Sequence, residues 1–299
     1  MGVAVTGTMT DVPEAQLVED LATDLAQGKS DTAGKLFAAH DAPAPLIVWR
    51  PTLADAQHPI LRSFLRGCGE GGGPLPVSWL DSEAFGALGD WAMVVAPGNE
   101  PGDYVYRHYG SKIAEVYQTD MTGRSVFDIG GHVAVFFSAL YHAVERRREQ
   151  VMSVHEPPRQ VFVRAWRRII QPLLHESGEL ACFAAVNMPD NDLRAGLEVL
   201  PEAAMVVSMD GNVCYANRPA CLLFGQPRSP LAGMSVQAFT GLDIELPKSP
   251  EKLILEGGPR HLRRVMARGS LLVPVNMTIG ATYYRDMPLY VISVRSSGT

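Results

Sequence analysis

The side chains able to do chemistry are eight histidines, four cysteines and a scatter of serines and carboxylates. Haem chemistry needs an axial ligand, usually an imidazole that the fold turns inward. Two histidines, His132 and His142, lie in the stretch 131–148 among Val133, Phe136, Phe137, Leu140, Tyr141 and Val144. At the helical period these apolar residues share one face centred near Phe137 and Leu140. His142 then points almost opposite to it, and His132 sits about 110° away at the helix start. His132 is therefore the candidate haem ligand, with the helix cap or solvent as its ordinary alternative. His155 and His261, on expected strands, rank behind it.

Cys68, Cys182, Cys214 and Cys221 show neither metal-ligand nor disulfide spacing. They read as small buried hydrophobes in a reducing compartment. Ser125, Ser138, Ser153 and Ser235 lack the Gly-x-Ser-x-Gly elbow, and no His-x-x-x-His or EF-hand spacing occurs. The glycines of 67–76 do not open a helix after a strand, so they form a flexible loop and no phosphate cradle. The chain is not expected to be an enzyme.

Composition narrows the partners. A 46% hydrophobic content supports a globular protein, and the net charge of −6 argues against a nucleic-acid binder. The three arginines 146–148, flanked by Glu145 and Glu149, read as a solvated helix end. No apolar run approaches the roughly 20 residues that span a bilayer. The N-terminus lacks the positive region of a secretory signal, and its fit to a myristoylation pattern stands alone. The expected location is cytoplasmic, without membrane contact.

The elements that would position any site are clearest between Leu200 and Phe239. An apolar strand from Ala203 to Val207 meets an Asp210-Gly211 turn signal and a second strand from Val213 to Ala216. Asn217 stands where an N-cap is wanted, Pro219 in a first turn that needs no N–H, and Gly225 at a left-handed helix end. The run LPEAAMVVSMDGNVCYANRPACLLFG, followed by SPLAGMSV, resembles the opening of a PAS domain. Strands are further expected at 260–268, 271–282 and 289–295.

Upstream, strands at 46–49, 91–96 and 104–109 precede a short helix at 111–117, the long helix at 131–148 and strands at 150–155, 160–170 and 180–186. Here YRHYGSKIAEVYQTDMTGRSVFDI, and later RRIIQPLLHESGELACFAAV, resemble a divergent PAS family of bacterial sensory proteins, with Ser111 where that family usually has Thr. An amphipathic helix from Asp11 to Gln27, with Leu17, Leu21 and Leu25 in register, packs on the first domain or serves dimerisation.

The expected fold is α+β: an N-terminal helix and linker (1–45), then two PAS-like modules (46–190 and 191–299), each a five-stranded antiparallel sheet with short helices on one face. The resemblance implies sensing and dimerisation. The candidate ligand-pocket residues are Phe136, Phe137, Tyr141 and Trp166 in the first module, and Met205, Phe224, Phe239 and Met277 in the second. Plain core packing is the alternative for all eight. Asn217 and Gly225 are structural. No residues match the reactive-cysteine motif of flavin-binding light sensors, leaving haem or a small organic ligand as the conceivable cofactors. The implied protein is a homodimer that relays a signal to a downstream protein in trans. The alternatives are the sensory part of a histidine kinase or nucleotide cyclase whose output domain is absent, or a haem-based gas sensor.

Overall fold

The computed structural model describes residues 14–296, except 57, 70, 100–101, 158–161, 191, 228–230, 232, 249–252, 254–257, 269–270 and 285–286. The chain divides into two units: residues up to 113 with 121–158 and 165–189, and residues 114–120 with 159–164 and 190 onward.

The first unit begins with α1 (Glu14–Ala26) and α2 (Asp31–Ala38). The buried side of α1 is Val18, Leu21, Ala22 and Leu25, one step round from the expected Leu17 stripe, and α1 packs on α6 (Gly131–Arg147). Arg146 reinforces that packing through Glu19 and Thr23, and Arg147 donates to the Ala26 carbonyl. The segment 31–38, read in sequence as connection, is helical because Ala33, Leu36 and Phe37 bury one face. α3 (Pro59–Cys68) is likewise a helix the sequence pattern did not announce, and the short α4 (Glu83–Gly86) and α5 (Ser111–Tyr117) follow it along the chain. Pro59 occupies the first turn of α3, His58 Nδ1 accepts from the Ile60 N–H, and Leu61, Phe64 and Leu65 are buried.

The strands of this unit are β1 (Leu46–Trp49), β2 (Leu75–Pro76), β3 (Ala92–Pro97), β4 (Tyr104–Tyr109), β5 (Val151–His155), β6 (Ala165–Leu174) and β7 (Leu180–Asp190). They form one sheet ordered β1-β5-β6-β7-β3-β4, with β2 pairing parallel to β6. It has seven strands where five were expected, because β1 extends one edge and β2 lies off the main path. The glycine-rich loop is pinned to it: the Gly72 carbonyl accepts from the Gln150 N–H and the Gly73 carbonyl from Gln171 Nε2. α3 contributes to a hydrophobic cluster with Met152, Ile169, Leu173, Ala184 and Val186 on one sheet face; α6 lies over the other.

The second unit carries α7 (Asp192–Glu198), β8 (Ala203–Ser208), β9 (Val213–Ala216), α8 (Arg218–Phe224), α9 (Val236–Thr240), β10 (Arg260–Arg268), β11 (Leu271–Tyr284) and β12 (Met287–Ser296). Its sheet is ordered β10-β11-β12-β8-β9, with every reported pairing antiparallel. The Asp210-Gly211 signal does mark the hairpin, although the turn is longer than two residues: the Ser208 N–H bonds the Asn212 carbonyl across Met209, Asp210 and Gly211. Gly211, at φ +81°, supplies the left-handed residue that such a loop needs.

Numbered from β3 and from β8, the five consecutive strands of each sheet follow the same order, 3-4-5-1-2. The fold is thus α+β with two such sheets and an N-terminal helix.

Candidate ligand site in the first module

Helix α6 is buried almost all round, from His132 to Tyr141 and at Ala143 and Val144, because α1 and α2 cover one side and the sheet the other. Among the sheet residues beneath it is a charge. Arg168 on β6 is 3% exposed, and its guanidinium lies 3.7 Å from the centroid of the Phe137 ring. One of its terminal nitrogens donates to the Tyr141 hydroxyl at 3.4 Å, a long bond, and its Nε has no partner. Among the described residues no carboxylate pairs with it.

Other polar groups surround this cation. Ser153 stands directly across from Arg168 in the β5–β6 ladder, and its buried hydroxyl has no partner. His155 is two residues further on the same strand face, its ring 4.8 Å from Phe137, with Nδ1 unpartnered. The Tyr106 hydroxyl on β4 is close enough for Arg168 to act on it both by charge and as a hydrogen-bond donor, although the geometry falls short of a formed bond.

Burial lowers the His155 pKa well below its usual value, reinforced by Arg168 and His132, so the imidazole is neutral at pH 7. Burial also raises both tyrosines, with Arg168 opposing, so each keeps its proton. For Arg168 itself burial works against the charge, and the oxygens of Tyr106, Tyr141 and Tyr109 outweigh it. The site therefore offers one cation, two phenolic hydroxyls, a serine hydroxyl and a neutral imidazole within an aromatic wall.

The candidate residues of the first module do gather here. Phe137 and Tyr141 touch Arg168 directly, Phe136 lies 6.1 Å from the His155 ring, and Trp166 pairs across the ladder with His155. His132 acts electrostatically on His155 but packs toward α2. Its ring stacks on His40 at 4.5 Å and meets Phe37 edge-on, on the side of α6 turned toward α2. His142 is half-buried against Tyr104 rather than on the open surface. Among the described residues no three His, Cys, Asp or Glu side chains are grouped to hold a metal.

Sequence reasoning missed Arg168, Tyr106 and Ser153 as a set. One signal was available: Arg168 alternates with the apolar Trp166 and Ile170 on one face of the strand, a poor place for a cation unless something needs it.

In the second module the candidates close a core. Met205, Phe239 and Met277 are fully buried together, and Phe224 is partly buried edge-on to Phe239, ring centroids 5.7 Å apart. Asn217 is the hub beside them. Its carbonyl oxygen accepts from the Ala220 N–H at 3.0 Å and the Ala204 N–H at 2.9 Å; its amide donates to the Leu197 and Glu202 carbonyls at 3.0 and 2.8 Å. Gly225 ends α8 at φ +65°, its N–H returning to the Cys221 carbonyl. The cysteines behave as packing groups: all four are free thiols, and burial pushes Cys182 and Cys214 up to about 11.

The family model of the PAS fold matches residues 191–260. The second module is a PAS domain. No curated protein matches the chain. Similar solved structures include the PAS domain of an HTR-like protein from Haloarcula marismortui, at 19% identity over 35% of this chain and 88% of that one, TM-score 0.27. Another is the PAS domain of nitrogen regulation protein NR(II) from Vibrio parahaemolyticus, at 15% identity over 36% and 99%, TM-score 0.28. A putative uncharacterized protein from Mycobacterium tuberculosis aligns over 70% of this chain and 64% of its own at 9% identity, TM-score 0.24. The assignment rests on the family model together with the hairpin, the Asn217 cap and the Gly225 stop, since superpositions at this level carry no argument of their own. Among the described residues no helix is long and apolar enough to cross a membrane.

Proposed function

We propose that this chain is a non-enzymatic, cytoplasmic sensory or adaptor protein with two PAS-like modules, the first sensing and the second relaying. The observation that carries the reading is the shared strand order of the two sheets, one of which belongs to the matched PAS module. The candidate residues divide in the same sense, with polar groups lacking partners under α6 and a closed apolar core in the PAS module.

The mechanism is a population shift within the first module. A ligand contacting Phe137, Tyr141 and Arg168 touches the sheet side of α6, whose other side holds the apolar face of α1. Two α6 arrangements with different ligand affinity would therefore differ in how α1 is held, and the ligand biases one of them. The Arg146–Glu19 pair is the visible clasp of that contact. The active form is a homodimer that passes this change to a separate downstream protein.

Light scattering on the eluting protein, followed by native mass spectrometry, tests the reading. A dimer carrying a small-molecule mass excess is expected. A strict monomer that binds neither a metabolite nor a protein partner contradicts it.

A further inference from the structure

A guanidinium in a protein interior is costly unless an opposite charge and full hydrogen bonding compensate it. Arg168 has a ring face and one long bond to a neutral hydroxyl. Cation–π contact offsets part of the cost but leaves the charge unneutralised and Nε unpaired. Ser153 and His155 stand around it with polar atoms unpaired, Tyr106 approaches it without a formed bond, and none of them brings a negative charge. A core built only for packing would favour an aliphatic side chain at this strand position, since buried ion sites are often neutral or improved when replaced by hydrophobes.

We propose that the buried cluster of Phe137, Tyr141, Ser153, His155, Arg168 and Tyr106 binds a small organic monocarboxylate, whose carboxylate pairs with Arg168. The planar guanidinium matches a carboxylate two-pronged, through the free Nε and a terminal nitrogen. The phenolic and serine hydroxyls and the neutral imidazole are donors for its remaining lone pairs. One cation balances one negative charge, so a phosphate dianion would leave a buried net charge behind. Phe136, Phe137 and Trp166 supply an apolar surround for the organic part. The assignment rests on the reading of the first module as the sensing one and names the chemical class that it senses.

All four tryptophans, Trp49, Trp79, Trp91 and Trp166, belong to the first module, so tryptophan emission, excited selectively over tyrosine, follows its melting. The test is a fluorescence melt of the full chain with sodium formate, acetate, pyruvate, lactate or benzoate. Chloride and phosphate at matched ionic strength are the controls. At least one carboxylate is expected to raise the melting temperature by roughly 4 °C or more. That shift should vanish in Arg168→Met and shrink in Tyr106→Phe, while ligand-free Arg168→Met melts at or above the wild-type temperature. No carboxylate shift overturns the proposal, as does an equal shift with chloride or phosphate. A ligand-free Arg168→Met that melts far lower also overturns it, by making Arg168 a structural residue. A different, uncharged ligand found by native mass spectrometry would overturn the carboxylate and leave the sensory reading standing.

Discussion

The two modules share a strand order and differ in what they bury. In the PAS module the buried Asn217 and Thr240 are both bonded: Asn217 makes four hydrogen bonds, while the Thr240 hydroxyl donates to the Val236 carbonyl and accepts from the Leu242 N–H. Beneath α6 in the first module, Tyr106, Ser153, His155 and Arg168 each keep an unpartnered polar atom. A fully bonded amide specifies one backbone arrangement and stabilises it. Unbonded buried groups around a cation instead cost the fold stability and leave donors and acceptors open. On the reading we propose, one strand order supports a structural hub in one module and a binding site in the other.

The sharpest way to break the comparison is at Asn217. Replacing it by Ala strands two N–H groups and two carbonyls that join α7, β8 and α8. It should destabilise the PAS module by about 3–5 kcal/mol. Circular dichroism during urea unfolding should show an earlier transition, with the tryptophan signal of the first module unmoved. Phe239→Ala in the same core should cost about 3 kcal/mol or more through the cavity it leaves.

An intermediate effect comes from His155, and it has a defined sign. Its folded pKa is lowered by burial first, then by Arg168 and His132, so the folded state resists protonation while the unfolded chain takes a proton near pH 6.5. The first module should therefore hold this stability above pH 6.5 and lose up to about 1.4 kcal/mol per pH unit below it. His155→Leu should flatten that slope in tryptophan-detected unfolding. An unchanged slope would place the acid sensitivity elsewhere.

The smallest effects lie at the helix ends. Gly225→Ala forces a side chain into the left-handed conformation and should cost the PAS module about 1 kcal/mol. Arg148 ends α6 at φ +55° with a side chain already there, so Arg148→Gly should stabilise the first module by up to about 1 kcal/mol. Opposite shifts in the two signals would show that the ends of α6 and α8 use the same geometry with different residues.

What was readable in the sequence follows from how local its cause is. The PAS hairpin, the Asn217 cap and the Gly225 stop depend on residues within a turn of one another, and β9 and α8 begin and end where those residues say. α2 and α3 were passed over because proline and polar neighbours masked short apolar stripes that gain meaning only when packed. β2 has two residues and no pattern to detect. At the candidate site, Phe137 and Tyr141 were visible as one helical face. Arg168 was not, because its significance comes from β5, β4 and α6 converging on it, and no spacing within β6 reports that. The surroundings of His132 were not readable for a similar reason: Phe37 and His40, which meet its ring, come from a distant part of the chain.

The most direct test of the contrast sets two buried substitutions side by side in ligand-free protein, Asn217→Leu and Arg168→Met, with tryptophan fluorescence and circular dichroism recorded in the same urea titration. The expected result is a loss of about 3 kcal/mol or more for Asn217→Leu, seen in circular dichroism, and no loss for Arg168→Met in fluorescence. Losses of equal size in both would mean that Arg168 is as structural as Asn217, and the contrast between the two modules would fall.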